Sequence, residues 1–391
     1  MATITWINIQ SKMVDYFSST FQIRPDGLGG WGRLRGQPIS IVNTVEALLA
    51  LREMGKLDDF LSDSRHAVIK NLLHGLLTES MEKPITVTRY LAYGAIGLAI
   101  VGEEESELQE QCVERLLALA QDGGWPIASG QEDSFLVPTF HAMFALNHLG
   151  ITVDPKHYEW LISHKRSDNL CSFRHGDTET SFGASCLVLY LLVQGGYGDR
   201  INTRDLASAV RFQLNKIFPM MLDPAKSWVS IDPQTNFRIY GYGLALRALH
   251  QIGMLDVGVI DIASLINAIS ISVSQDVEDS QKSVALSLDS HRTWVPAVLE
   301  LAVALRTVKD SFDPFAFYSE LEREMLTESD YQSKLAMVEY EHRILELRQK
   351  VLNVQERELL KRENIFKQLD AYKESLPGTS GNLLGLLWKK S

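Results

Sequence analysis

The stretch QDGGWPIASGQEDSFLVPTFHAMFALNHLG, Gln121–Gly150, joins a glycine-rich turn on a tryptophan to a helix-length run of apolar residues. An earlier stretch, GGWGRLRGQPISIVNTVEALLALREMG, Gly29–Gly55, has the same order of turn and apolar run. Such a recurrence indicates a repeat architecture, because a single helical hairpin cannot bury its own apolar face. The two stretches therefore predict a fold built from stacked copies of one unit.

Six apolar helices are predicted on this pattern, at intervals of roughly 46–56 residues. Their residues are small or apolar on nearly every face, which is typical of helices packed on most sides. A turn or bend with an aromatic residue precedes five of them, and amphipathic helices lie between them. The six predicted helices cover approximately Ser40–Met54, Thr88–Val101, Ser134–Leu149, Ser181–Val193, Phe237–Ile252 and Arg292–Val308.

An inner apolar helix and an outer amphipathic helix in each of six units predict a closed ring. An open solenoid needs a polar cap at each end, and neither end of this array has an obvious one. We therefore predict an all-α fold in which residues 1–308 form an (α/α)6 toroid, a barrel of helical hairpins.

The composition excludes several classes of protein. The chain has 391 residues, of which 45% are hydrophobic, and a net charge of -11. This acidic balance argues against nucleic-acid binding, which needs clustered Lys and Arg. Three cysteines do not make a disulfide framework and favour a reducing, cytoplasmic location. The N-terminal residues suit an amphipathic helix rather than a signal peptide, and no apolar run is long enough to span a membrane.

A family resemblance rests on the repeated GGW, followed by a Ser or Thr position and then by ALLAL or AMFAL. This pattern resembles the repeat of squalene–hopene cyclases and of protein prenyltransferase β subunits, and QDGGW at Gln121–Trp125 is similar to the Gln–Trp motif of those cyclases. The resemblance covers about three quarters of the chain, and it implies the fold rather than the chemistry, because fold does not set function.

The catalytic acid that the resemblance would bring has no clear counterpart. The cyclases use an Asp-x-Asp-Asp motif, and the nearest approach is DTETS, in which Asp177 and Glu179 are the alternative catalytic residues. Acids at such a position are also typical of residues that complement a helix dipole. A glycosidase with paired carboxylates across a cleft stays open, because acids are frequent at the loop ends.

The zinc site of the prenyltransferases is also incomplete. In that family a Cys follows an Asp by two residues, and a distant His lies on a later inner helix. Here Asp168 and Cys171 are one residue too far apart, and the later helix has Ile239 or Tyr240 where the His would fall. A local set of Asp168, Cys171 and His175 is the alternative metal site. We otherwise predict no metal and no cofactor.

Arginine and aromatic residues recur near the N-terminal ends of the predicted inner helices, which would meet at one mouth of the ring. Positive helix N-termini, bidentate guanidinium groups and aromatic faces together suit an anionic ligand or an acidic peptide. Acids in the same loops leave open that these arginines tie neighbouring repeats together. The candidate ligand-binding residues are Trp31, Arg33, Arg89, Trp125, Phe173, Arg174, His175, Trp228, Arg238, Tyr240, Arg292 and Trp294.

The composition changes after the predicted ring. Residues 309–376 are predicted to form a long charged helical arm, in which two short heptads suit a coiled coil. Residues 377–391 are predicted to be a flexible linker and an apolar tail, which would dock in a groove, enter the ring or contact a membrane surface.

These patterns together favour a non-catalytic toroid that recognises a protein segment or a small anionic ligand in its central cavity. Residues 330–391 would then bind another protein or a second copy of the chain. The alternative is a divergent isoprenoid cyclase or prenyltransferase that acts on a prenyl substrate through Asp177 and Glu179.

Overall fold

Twelve helices and four short strands make up the part of the chain that the computed structural model describes, residues 6–33, 36–103, 106–217, 230–235, 237–255 and 295–311, with Lys367. All of these except Lys367 belong to one compact unit, Met1–Pro314. The helices are α1 (Trp6–Thr20), α2 (Ile41–Glu53), α3 (Leu57–Phe60), α4 (Asp63–Glu82), α5 (Thr88–Ile100), α6 (Glu107–Ala118), α7 (Leu136–His148), α8 (Pro155–Ile162), α9 (Phe182–Gln194), α10 (Ile201–Ile217), α11 (Tyr242–Gln251) and α12 (Val295–Ser311).

The predicted (α/α)6 toroid is confirmed. The inner helices α2, α5, α7, α9, α11 and α12 pack each against the next, and α12 returns to pack against α2, so the six helices close into a ring. Helices α4, α6, α8 and α10 lie outside this ring, each against an inner helix. The inner helices are apolar all round because they contact inner neighbours, the outer layer and the centre of the ring.

The turn before an inner helix is held to that helix by a repeated pair of hydrogen bonds. The backbone N–H groups of Trp31, Trp125 and Cys171 donate to the hydroxyl oxygens of Thr44, Thr139 and Ser185, at 3.1, 2.8 and 2.8 Å. The carbonyl of each turn residue accepts a second bond, from the N–H of Ser40, Phe135 and Ser181. The Ser or Thr position that follows GGW in the sequence is therefore the acceptor that closes each turn.

The structure of the QDGGW turn also shows why glycine and tryptophan occur there. Gln121 and Gly124 exchange two backbone hydrogen bonds, of 2.8 and 2.7 Å. Gly123 has φ +92°, and a Cβ on it would meet Trp160 at 2.6 Å, so only glycine fits there without strain. The indole of Trp125 is fully buried and donates to the Leu116 carbonyl at 2.7 Å, which joins the turn to the preceding outer helix.

The start of the second inner helix, α5, is hydrogen-bonded to the turn that precedes the third inner helix, α7. Thr88 at its start donates its hydroxyl to the Pro126 carbonyl at 2.6 Å and its N–H to the Ile127 carbonyl at 3.0 Å. This exchange ties two successive repeats and accounts for a helix that has no glycine turn of its own.

The four strands form two small antiparallel ribbons beside the helices. Strand β1 (Gln22–Ile23) pairs with β2 (Gly29–Gly30), and β3 (Ser230–Ile231) pairs with β4 (Arg238–Ile239). Among the described residues, no helix has both the length and the apolar character to cross a membrane. Apart from Lys367, the predicted arm and tail beyond Ser311 lie outside the described residues, and both stay predictions.

Candidate functional site

The six inner helices enclose a cavity of about 380 Å³ at the centre of the ring. This volume lies within the range of roughly 300–1,000 Å³ that is typical of small-molecule sites. Its walls combine apolar and charged side chains, with seven aromatic side chains among the described lining residues. These are Tyr90, Tyr93, Phe140, Phe144, Tyr190, Phe237 and Tyr240.

A buried ion pair lies on the cavity wall near the N-terminal ends of the inner helices. An oxygen of the Glu46 carboxylate is 3.2 Å from the Arg89 guanidinium, and the Glu46 side chain is only 4% exposed. Burial raises the pKa of Glu46, an effect that the charge of Arg89 opposes first and that Arg33 and Tyr93 oppose to a smaller extent. The Arg89 guanidinium also lies 5.1 Å from the centre of the Phe237 ring, within the range of a cation–π contact.

His141, on α7, is the second polar group at this end of the cavity. Its ring packs edge-on against Tyr93 and Phe237, with centroids 5.5 and 5.9 Å apart. Burial and the nearby charge of Arg89 hold the pKa of His141 well below its usual value, so the ring is neutral at physiological pH. A neutral imidazole in an apolar wall can donate or accept one hydrogen bond at each nitrogen.

A second set of charged groups lies near the C-terminal ends of the inner helices. Arg247 makes a bidentate ion pair with Glu53, at 2.8 and 2.5 Å, which joins α11 to α2. Arg52 contacts His148 at 2.8 Å, and burial together with that guanidinium lowers the pKa of His148 to about 4. These contacts connect repeats that are distant in the sequence.

Glu300, on α12, faces the cavity and also supports the start of α11. Its carboxylate accepts hydrogen bonds from the backbone N–H groups of Gly243 at 2.8 Å and Leu244 at 3.2 Å. A Cβ at Gly243 would overlap the Glu300 carbonyl, so glycine allows this close approach. Burial raises the pKa of Glu300 to about 7 in spite of these bonds.

The residues predicted for ligand binding occupy different environments. Arg33, Arg89 and Tyr240 line the cavity. Trp31 and Trp125 are buried in the turns, where the Trp31 indole donates to the Phe17 carbonyl at 2.9 Å. Phe173 is buried, whereas Arg174 and His175 are exposed. Trp228, Arg292, Trp294 and the side chain of Arg238 lie outside the described part of the chain.

The alternative catalytic and metal residues lie in the loop before α9. Asp177 is partly buried and Glu179 is exposed, and neither is among the residues that line the cavity. The Asp168 carboxylate accepts from the Leu170 N–H at 3.1 Å and from the Thr180 hydroxyl at 2.9 Å. Within the described residues, no three His, Cys, Asp or Glu side chains form a metal-binding group.

Several cavity residues were missed because they lie inside the helices rather than in the loops. Glu46, Arg247 and Glu300 are single charged residues within the apolar runs TVEALLAL, LALRAL and VLELAV. A lone charge in a helix that is buried on all sides needs a partner, because burying it alone is costly. That signal could have identified these three positions from the sequence.

Comparison with known proteins gives the fold alone. The chain is similar in structure to the apo form of the type II terpene cyclase MstE from Scytonema, with a TM-score of 0.50 and 11% identity over 78% of this chain and 97% of that one. An arginine variant of that enzyme, in complex with geranylgeranyl dihydroxybenzoate, matches with a TM-score of 0.50 and 11% identity over 78% and 96%. An α-1,6-mannanase from Salegentibacter matches with a TM-score of 0.49 and 11% identity over 79% of this chain and 100% of that one. No family model matches the sequence, and no curated protein matches it.

Proposed function

We propose that the toroid binds a small, largely apolar molecule in its central cavity and does so without catalysing a reaction. The observation that carries this proposal is the cavity itself, about 380 Å³ in volume, with seven aromatic side chains and with paired charged groups near both of its ends. Enclosed apolar pockets with a small number of placed polar groups are typical of ligand sites. The sequence predicts a protein segment or a small anionic ligand as the occupant; a small molecule suits this volume better than a protein segment, and we propose an apolar ligand in place of the anionic one.

A second candidate function is the cyclisation of a prenyl substrate. Asp177 and Glu179 do not support it, because neither lines the cavity. Its support is instead Glu46, a carboxyl group buried among aromatic side chains with a raised pKa, in a fold shared with a terpene cyclase that binds a geranylgeranyl compound. Conversion of a geranylgeranyl substrate by the purified protein, abolished in Glu46→Gln, would favour this candidate over simple binding.

The binding proposal is tested by native mass spectrometry of the protein purified from its own host without detergent. We expect a bound small molecule, seen as a mass increment on the wild-type chain. Leu49→Trp places a larger side chain in the cavity wall and should remove that increment. Leu117→Trp is the matched control, because Leu117 is 45% exposed on the outer helix α6 and should keep it.

The proposal fails if the wild-type protein has no increment, or if both variants retain it while their melting curves show that they are folded. The same spectra test the predicted role of residues 330–391, since a second copy of the chain or a partner protein would appear as a larger complex.

A further inference from the structure

Three buried polar atoms at one end of the cavity have no hydrogen-bond partner among the described residues. They are Nε of Arg89, Nδ1 of His141 and Oε2 of Glu46. No hydrogen bond of ordinary geometry reaches Oε2 of Glu46. The Tyr93 hydroxyl nevertheless interacts with the Glu46 carboxylate and lowers its pKa slightly. Native proteins leave few buried polar atoms unpaired, so three from α2, α5 and α7 at one place indicate a missing partner.

The three residues, here called the head-group cluster, all line the same cavity. The cluster offers complementary roles: the Arg89 Nε–H can only donate, an ionised Glu46 oxygen can only accept, and His141 Nδ1 can do either. A single group that both donates and accepts hydrogen bonds would satisfy at least two of these atoms at once.

The ion pairs of the cavity limit the charge that the missing hydrogen-bond partner can carry. The Arg89 guanidinium lies beside the Glu46 carboxylate, so the two charges compensate each other. At the other end of the cavity the Arg247 charge is matched by Glu53 in a bidentate pair. Two of the three arginines among the described lining residues, Arg89 and Arg247, are therefore already paired with carboxylates, which reduces the attraction for a multiply charged anion such as a diphosphate.

We propose that the head-group cluster binds an uncharged hydroxyl group of an otherwise apolar ligand. This inference rests on the proposed ligand-binding function and adds the chemical class of the ligand. The hydroxyl donates to Oε2 of Glu46 and accepts from the Arg89 Nε–H, while His141 Nδ1 makes the remaining contact. The apolar chain extends along Phe140, Phe144 and Tyr190, whose rings contact one another on the cavity wall.

Isothermal titration of the full chain with two isomers, 1-octanol and 1-methoxyheptane, tests the hydroxyl. Both have the same number of atoms and a similar apolar chain, but the ether cannot donate a hydrogen bond. We expect 1-octanol to bind about tenfold more tightly or better, because a hydrogen bond to a charged group is lost with the ether. Octanoate and octyl phosphate, in parallel titrations, should bind more weakly than 1-octanol.

Two variants locate the preference at the head-group cluster. His141→Phe keeps an aromatic ring of similar size without Nδ1, and Glu46→Gln removes the carboxylate charge. Both should reduce the preference for 1-octanol to less than about threefold. Tyr197→Phe removes a hydroxyl from a residue that does not line the cavity and should leave the preference unchanged.

Equal binding of the two isomers, with both blocked by Leu49→Trp, would overturn the hydroxyl assignment and leave the ligand-binding function intact. Tighter binding of octanoate or octyl phosphate would overturn it in favour of an anionic ligand. A preference that survives in both His141→Phe and Glu46→Gln would also overturn it. If no probe binds to the wild-type protein, the ligand-binding function itself fails.

Discussion

Single charged residues inside apolar helices determine the chemistry of the cavity. Each of them has a specific partner: Glu46 has Arg89, Arg247 has Glu53, and Glu300 has the first amides of α11. Because an unpaired buried charge is far more costly than a paired one, these positions tolerate fewer substitutions than the apolar residues around them.

Glu300 makes the stability of the protein depend on pH. Burial raises its pKa from 4.5 to about 7 in the folded state, so between these values the folded chain holds a proton that the unfolded chain has lost. Folding is therefore favoured most at low pH, and this contribution, about 3 kcal/mol at most, is lost as the pH rises from about 4.5 to about 7. Glu300→Gln, which cannot titrate, should gain stability relative to wild type over this range, as measured by urea unfolding from pH 5 to pH 7.5.

The side-chain amide oxygen in the Glu300→Gln variant can still accept from Gly243 and Leu244, so the start of α11 keeps its partner. Glu300→Ala removes the acceptor and should destabilise the protein at every pH by about 1 kcal/mol or more. A constant difference between wild type and Glu300→Gln from pH 5 to pH 7.5 would show that Glu300 does not titrate in this range.

The sequence could predict only part of the cavity wall. Arg33, Arg89 and Tyr240 were identified because they flank the predicted inner helices, and ends of parallel helices in a ring come together. Glu46 and His141 were not assigned as ligand residues, since a helix that is apolar on every face does not reveal which face is turned to the centre. The direction of a side chain depends on how neighbouring helices pack, which the chain alone does not encode locally.

At the scale of single elements, the inner helices α2, α7 and α9 are each held by the turn that precedes them. The bond from the Trp125 N–H to the Thr139 hydroxyl has counterparts at Trp31 and Cys171. In the third of these turns the bond is made by Cys171 rather than by the nearby aromatic residue, Phe173. The backbone makes these bonds, so the side chain of the turn residue can change without loss of the tie.

Thr139→Val removes this acceptor while keeping the shape of the side chain. The Trp125 N–H would then be buried without a partner, and the free energy of unfolding should fall by about 1–3 kcal/mol. Thr139→Ser keeps the hydroxyl and should lose less, about 0.8 kcal/mol, for one methyl group. Chemical denaturation measures both variants, and a Val variant as stable as wild type would mean that the bond contributes nothing.

The bounds of the inner helices were predicted to within about three residues, for a physical reason, except that the predicted Phe237–Ile252 begins as α11 only at Tyr242, after strand β4. Periodicity, glycine turns and Ser or Thr caps are local features, and the predicted Ser40–Met54 and Ser181–Val193 became α2, Ile41–Glu53, and α9, Phe182–Gln194. The exchange between α5 and the turn at Pro126 was not predicted, because it joins residues 38 positions apart.

At the scale of the whole molecule, the first and last inner helices complete the ring. Helix α12 packs against α2, and the Val295 N–H donates to the Arg33 carbonyl at 3.3 Å. The ion pair between Arg247 and Glu53 joins two residues that are 194 positions apart in the sequence. In a closed ring every repeat has two neighbours, so the loss of one contact should weaken all of the repeats, unlike the local effect expected of an open array.

Leu301→Ala tests this prediction. Leu301 is 1% exposed on α12, and its truncation should cost about 2–5 kcal/mol. Native-state hydrogen exchange should then show reduced protection in α2 and α11, which are the neighbours of α12 in the ring. It should also show reduced protection in α7 and α9, which are not its neighbours. Reduced protection confined to α2, α11 and α12 would instead indicate that the repeats open independently.

Ring closure also has a consequence for synthesis on the ribosome. Helix α2 ends at Glu53, but its partner α12 begins only at Val295, so about 240 residues must be translated before the two can meet. At translation rates of roughly 5–20 residues per second, one side of α2 waits roughly 10–50 s for its neighbour. During that interval an apolar face of α2 is uncovered on the nascent chain, which is a surface prone to aggregation until α12 covers it.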